Sequence, residues 1–256
     1  MTSDAPLEVV AAAVIPAAAY AVLVVALLRP AEPPALLVAL FLWGAAIAAP
    51  AAERANAAIG ASALGPVIWG PLVEEATRAL GLVLLVAFGS LPVRCVRSGI
   101  ACGALVGLGF ASAENVPYHL LAVVQGGTGG LARAVFVRGV LEGLNHATFT
   151  GTIGAALALA SASRGGVARA AAASLGFLIA LAQHGLWNGL ASTTITNLLC
   201  GETTAAGACQ ATPPAEALYF LVPLLVALFI GPGFAALAWL ARKPPPTAQS
   251  PPGNRD

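Results

Sequence analysis

Apolar residues run along the chain in long uninterrupted stretches at about 7–28, 34–52, 66–89, 99–124, 134–160, 168–198 and 215–241. Each is long enough to supply the roughly 20 residues that an α-helix needs to cross the hydrocarbon core of a bilayer. The runs are too continuous for the alternating in–out strands of a membrane barrel, and a backbone in lipid must satisfy its own hydrogen bonds, so helices are the expected element. The pattern predicts an all-α polytopic membrane protein with about seven transmembrane helices. Before the third run, "AAIGASALGPVIWGP" carries Pro66 and Pro71, which predict a broken or re-entrant approach. Small residues four apart, such as Gly103 and Gly107, permit close helix contact without specifying a function.

Composition agrees with this pattern. Hydrophobic residues make up 59% of the 256 positions and charged residues 9%, whereas a soluble domain is about one-quarter charged. A net charge of +1 provides no basic surface for nucleic acid. The N-terminus "MTSDAPLEVV" has acids and no Lys or Arg before its apolar run, so the first run reads as a retained span rather than a secretory signal. Residues 1–243 read as one transmembrane helical domain, and the Pro-rich, polar 244–256 as a disordered cytoplasmic tail. The four cysteines lack metal-finger spacing. Cys200 and Cys209 could pair in a disulfide if their loop faces an oxidising compartment.

Basic residues orient the helices. With seven spans, Arg29, Arg94, Arg97, Arg164, Arg169, Arg242, Lys243 and Arg255 fall on one side, and Arg54, Arg133 and Arg138 on the other. The richer side is expected to be cytoplasmic. That places the N-terminus and the loop holding Cys200 and Cys209 outside, and the C-terminus inside.

Ionisable residues within the apolar runs stand out because a charge at the bilayer centre costs about 2.5–3.5 kcal/mol on insertion scales. Glu74, Glu75 and Arg78 lie in the third run, Glu114 and Asn115 in the fourth, Glu142 and His146 in the fifth, and His184 and Asn188 in the sixth. Residues four apart share a helix face. This spacing places Glu74 over Arg78, Glu142 over His146, His146 over Thr150, and His184 over Asn188. The polar site is therefore expected between helices three to six, in a water-filled pocket open to the extracytoplasmic side.

Carboxylates and imidazoles converging around water have the parts for peptide hydrolysis. A carboxylate can serve as general base toward water and then as acid toward the leaving amine, while imidazole and Asn donors stabilise an oxyanion. Two neutral His and one Glu are also a catalytic zinc set, with Glu75, His146 and His184 as the candidate ligands here. The compact HExxH arrangement is absent, so the residues leave metal and carboxylate mechanisms both open. Simpler readings stand beside these. Glu74 or Glu75 with Arg78, and Arg138 with Glu142, could be structural ion pairs; His184 and Asn188 could bond neighbouring helices; His119 reads as interfacial. A non-catalytic membrane-embedded binding protein or a small proton-coupled transporter is the rival function, though no related halves of a transporter are evident.

Four motifs in order, "EEATR" (74–78), "FASAEN" (110–115), "HATFTG" (146–151) and "HGLWN" (184–188), resemble the PrsW-type intramembrane proteases and, more distantly, the CAAX prenyl-protease and bacteriocin-processing family. The resemblance spans about residues 60–200. It implies a cell-membrane protease, metallo- or glutamic-type, that cuts a single-span membrane protein such as an anti-sigma factor on its extracytoplasmic side. Carried over motif by motif, Glu74 and Glu75 match the paired catalytic glutamates, Glu114 and Asn115 the second motif, and His146 and His184 the later histidines. Glu74 is the expected water-activating group, with Glu75 sharing its charge or proton. His146 and His184 are expected to stabilise the oxyanion or bind a metal, Glu114, Asn115 and Asn188 to orient them, and Arg78 to anchor a carboxylate. Arg78 departs from the Lys that usually ends the first motif, and it is far less able to give up its proton.

Overall fold

A computed structural model describes residues 7–60, 62, 64–87, 95–192 and 220–242. The Cys200–Cys209 loop and the 244–256 tail lie outside these residues. Among the described residues every regular element is helical. In chain order they are α1 (Leu7–Leu28), α2 (Pro34–Leu42), α3 (Ala49–Ile59), α4 (Gly70–Ala87), α5 (Val96–Ala134), α6 (Asn145–Ala162), α7 (Gly166–Leu186), α8 (Val222–Phe229) and α9 (Gly231–Ala241). Wider π-helical turns join α2 to α3 at Trp43–Ala48, lead into α4 at Gly65–Trp69, extend α5 at Val135–Leu141 and extend α7 at Trp187–Ser192. The turn at Gly65–Trp69 is the interrupted approach that Pro66 and Pro71 predict, since proline removes a backbone donor and crowds the preceding turn.

Among the described residues, four helical runs are long and apolar enough to cross a bilayer: Leu7–Leu28, Pro34–Ile59, Val96–Ala162 and Gly166–Ala191. The pair Val222–Phe229 and Gly231–Ala241, bent by 48°, makes a fifth if it is one span. The expected seven is not reached by this measure, for two physical reasons. Gly70–Ala87 holds Glu74, Glu75 and Arg78 and so is not simply apolar. The run Val96–Ala162 is 67 residues long; straight, it would reach about 100 Å at 1.5 Å per residue, several times the thickness of a hydrocarbon core.

That run instead folds back on itself. Gly127 takes φ 57° and ψ −146°, a conformation open to glycine but strained for other residues, and breaks α5. Beyond the break Gly130 packs directly on the carbonyl of Ala122. The chain then returns along α5 as α6. A side chain at Gly99, Gly103 or Gly107 would run into the backbone of Gly154, Thr150 or His146, respectively. These pairs descend on α6 as they climb on α5, so the helices are antiparallel and in backbone contact, the arrangement that small residues four apart allow. Trp43 does the corresponding work for α4. Its indole donates to the Thr77 carbonyl at 3.2 Å and covers Gly81, leaving no room for a side chain there.

The fifth apolar run is not one continuous helix. Glu142, Gly143 and Leu144 form a turn before α6 begins at Asn145. Glu142 and His146 therefore do not share a helical stripe. His119, expected at the interface, is instead fully buried.

The α5–α6 seam makes a direct prediction. Gly103→Val should destabilise the protein by about 1–3 kcal/mol, the usual cost of forcing extra methyl groups into a packed interior. Gly166→Ala, at a position with open space around it, should leave stability unchanged. Thermal unfolding of both variants in the same detergent measures the difference.

Candidate functional site

The site is organised around a buried guanidinium. Arg78 is brought to the centre by α4, and its side chain is fully buried. Its Nε donates to the Glu74 carbonyl at 3.0 Å, and Nη1 donates to His146 Nδ1 at 2.7 Å. Nη2 lies 3.2 Å from Glu74 Oε2 and 3.1 Å from Glu75 Oε1. The ring of Phe110 lies beneath the guanidinium, 4.2 Å from Cζ to its centroid. Arginine has donors only, so each of these partners must accept.

The adjacent glutamates are not equivalent. Glu75 is fully buried and its carboxylate is occupied: Oε2 accepts from the Thr150 hydroxyl at 3.2 Å, and Oε1 meets His184 Nδ1 at 3.0 Å as well as Arg78. Glu74 keeps 15% side-chain exposure, enough to face the adjoining cavity, with His184 Nε2 3.6 Å from its Oε2. One turn position thus separates a structural anchor from an accessible carboxylate.

The two imidazoles are also held differently. His184 Nδ1 lies between an acceptor and a donor, Glu75 Oε1 at 3.0 Å and Arg78 Nη2 at 3.3 Å, while its Nε2 points toward Glu74. Arg78 can only donate, so His146 Nδ1 accepts and its proton lies on Nε2, which faces Glu114 Oε2 at 2.8 Å. Phe149 stacks on His184 with centroids 4.8 Å apart and an interplanar angle of 17°, fixing the ring from the α6 side. The two imidazoles meet edge to face at 5.5 Å.

A second polar group joins the first through Glu114. Arg138, from the turn that extends α5, donates to Asn115 Oδ1 at 2.9 Å and to Glu114 Oε1 at 3.2 Å, and lies over Tyr118 with Cζ 3.8 Å from the ring centroid. Glu142 Oε2 is more distant from it, at 3.9 Å. The expected Arg138–Glu142 pair is thus the weaker part of a contact set directed at the second motif. Asn188, expected to orient a histidine, donates to the Pro66 carbonyl at 3.1 Å, and so ties the end of α7 to the interrupted approach to α4.

Glu74, Glu114, His146, His184 and Asn188 all border a cavity of about 630 Å³. It extends to Asn56 and Gly60, at the end of the molecule where α3 stops and α4 begins. Arg78 and Glu75 stand behind its wall. Glu74, His146 and His184 can each direct one ligand atom to a common ion, these atoms lying within 4.8 Å of one another. This set contains Glu74, where the sequence reading had Glu75, because Glu75 is already committed to Thr150, His184 and Arg78.

Sequence reasoning missed the reach of Arg138 and the role of Thr150. Arg138 is 23 residues from Asn115, across the chain reversal at Gly127, so periodicity within one helix cannot connect them. The glycine-rich "QGGTGG" at 125–130 was the available signal of that reversal. Thr150 lies one turn past His146, but its partner comes from α4.

The comparisons with known proteins agree with this constellation. No curated protein and no solved structure matches the chain. The family model described as PrsW family intramembrane metalloprotease matches residues 32–231, from just before α2 to the first residue of α9, with all four motifs inside it. Apolar helices, a buried polar centre and a match over most of the length identify a multi-pass membrane protein, and the chain belongs to the PrsW family of intramembrane metalloproteases.

Proposed function

We propose that this protein hydrolyses a peptide bond of a single-span membrane protein, of which an anti-sigma factor is the example that its family resemblance suggests, with Glu74 activating the attacking water. The observation that carries this reading is the division of labour between the paired glutamates: Glu75 is consumed by structural contacts, while Glu74 faces both the cavity and His184 Nε2. Glu74 accepts a proton from water as the oxygen attacks the scissile carbonyl, and returns it to the amine as the carbon–nitrogen bond breaks. His184, its Nδ1 held by Glu75, presents its Nε2 beside that carboxylate.

Glu74, His146 and His184 fit a divalent ion such as zinc by their chemistry: one carboxylate and two imidazoles leave room for water. The carboxylate of Glu75 behind His184 is the support that metal-bound imidazoles commonly have. A bound ion would polarise the carbonyl and ease the ionisation of water. In its absence the Nε2–H of His146 is positioned as a hydrogen-bond donor to the developing oxyanion.

The substrate would enter through the cavity at the α3–α4 end. The distribution of basic residues supports an extracytoplasmic position for that end, and with it cleavage on the outer side of the membrane.

Glu74→Gln should lower turnover of a single-span reporter by about 10²–10⁴-fold, the usual contribution of a positioned general base, while the variant still inserts and unfolds like the parent. Near-parental turnover would remove Glu74 from the proposal. Thr150→Val, which takes away one donor to Glu75, should reduce activity less than Glu74→Gln does in the same assay. Chelation should abolish cleavage, with zinc restoring it and metal analysis recovering the ion from the active protein. Chelator-insensitive cleavage would assign water activation to the carboxylates and imidazoles alone.

A further inference from the structure

A second cavity, of about 730 Å³, lies on the other side of α6 from the catalytic group. It begins near Leu144 and Thr148 and runs toward the opposite end of the molecule, where α1 ends, α5 begins and α9 ends. Its wall is largely aliphatic, including Leu27 and Ile100, with Phe234 and Leu237 from α9. The ionised side chains on it are Arg97 and Arg242, both exposed at the rim. Neither has an acidic partner among the described residues, where the ion pairs involve Arg78, Arg138 and the histidines. Arg97 also stands in the first turn of α5, where free backbone N–H groups favour an anion.

We propose that this cavity binds an anionic phospholipid, one acyl chain lying along the apolar wall and the phosphate held between Arg97 and Arg242. The protein is immersed in lipid, so an acyl chain is the abundant apolar solute at that wall. Two guanidiniums at the rim, with no acidic partner among the described residues, select for a phosphate whose charge is not cancelled by a headgroup amine, because guanidinium pairs with phosphate through parallel N–H donors. Basic pockets between transmembrane helices recognise lipid headgroups on these grounds. The chain's own neighbouring segments are poor substitutes in charge. Residues 88–94 contain Arg94 and no acid, and 243–256 contain Lys243 and Arg255 against the single acid Asp256.

The test uses full-length protein, purified and delipidated, then titrated with phosphatidylglycerol or phosphatidylcholine and read by native mass spectrometry and thermal unfolding. Phosphatidylglycerol should be retained and should raise the unfolding midpoint, and phosphatidylcholine should do neither. Arg97→Gln with Arg242→Gln should weaken phosphatidylglycerol retention at least about tenfold. Ala238→Phe, which fills the cavity and spares both arginines, should weaken it comparably. Both variants should unfold like the parent in lipid-free detergent, and if one does not, the other carries the test. Glycerol phosphate, which lacks the chain, should not compete. Equal retention of the two lipids, or undiminished phosphatidylglycerol binding by the properly folded variant, would overturn the proposal. Full competition by glycerol phosphate would overturn the assignment of the apolar wall to an acyl chain.

Discussion

The structure depends on keeping a guanidinium charged where no water reaches it. A buried cation is tolerated only when its charge is balanced and its donors are used. Arg78 meets that requirement with two carboxylates, one backbone carbonyl and the Nδ1 of His146, while Phe110 covers its face. These partners come from α4, α5 and α6, and Glu75 extends the set to His184 on α7. Satisfying one charge therefore fixes four helices relative to one another. It also sets the tautomer of His146, whose Nδ1 faces a donor, while the Nδ1 of His184 is shared between the Arg78 guanidinium and the Glu75 carboxylate.

Helix packing delivers those groups to the same level in the membrane. The glycine seam allows α5 and α6 to approach at backbone distance, so His146 arrives one layer from Glu114 and Arg78. The break at Gly127 brings the segment holding Arg138 back onto Glu114 and Asn115. Trp43 holds α4 against α2 and so fixes the register in which Glu74 meets the cavity and Glu75 does not. Small residues in the core of this protein serve the placement of ionised side chains as much as packing density.

Much of this was legible in the chain. Long apolar runs announced an all-helical membrane protein, and the cost of burying charge directed attention to Glu74, Glu75, Arg78, Glu114, His146 and His184, which do converge. Pro66 and Pro71 announced the interrupted approach to α4. Spacing along one helix could not reveal which of two adjacent glutamates faces the cavity, since that depends on Thr150 and His184 arriving from other helices. It also misplaced Glu142: the turn that Glu142 forms with Gly143 and Leu144 is short and carries no proline, so it reads as part of the run around it. Asn188 was read from its step along α7, whereas its partner is the Pro66 carbonyl, made available by the interrupted helix.

The most direct measurement of the central claim is nitrogen-15 NMR of ring-labelled histidine in the metal-free protein. The chain has three histidines, His119, His146 and His184, so single substitutions assign the spectrum. The account predicts an Nδ1 on His146 that carries no proton, because the Arg78 guanidinium donates to it. A proton on the Nδ1 of His146 would contradict the claim that the Arg78 guanidinium orders the site.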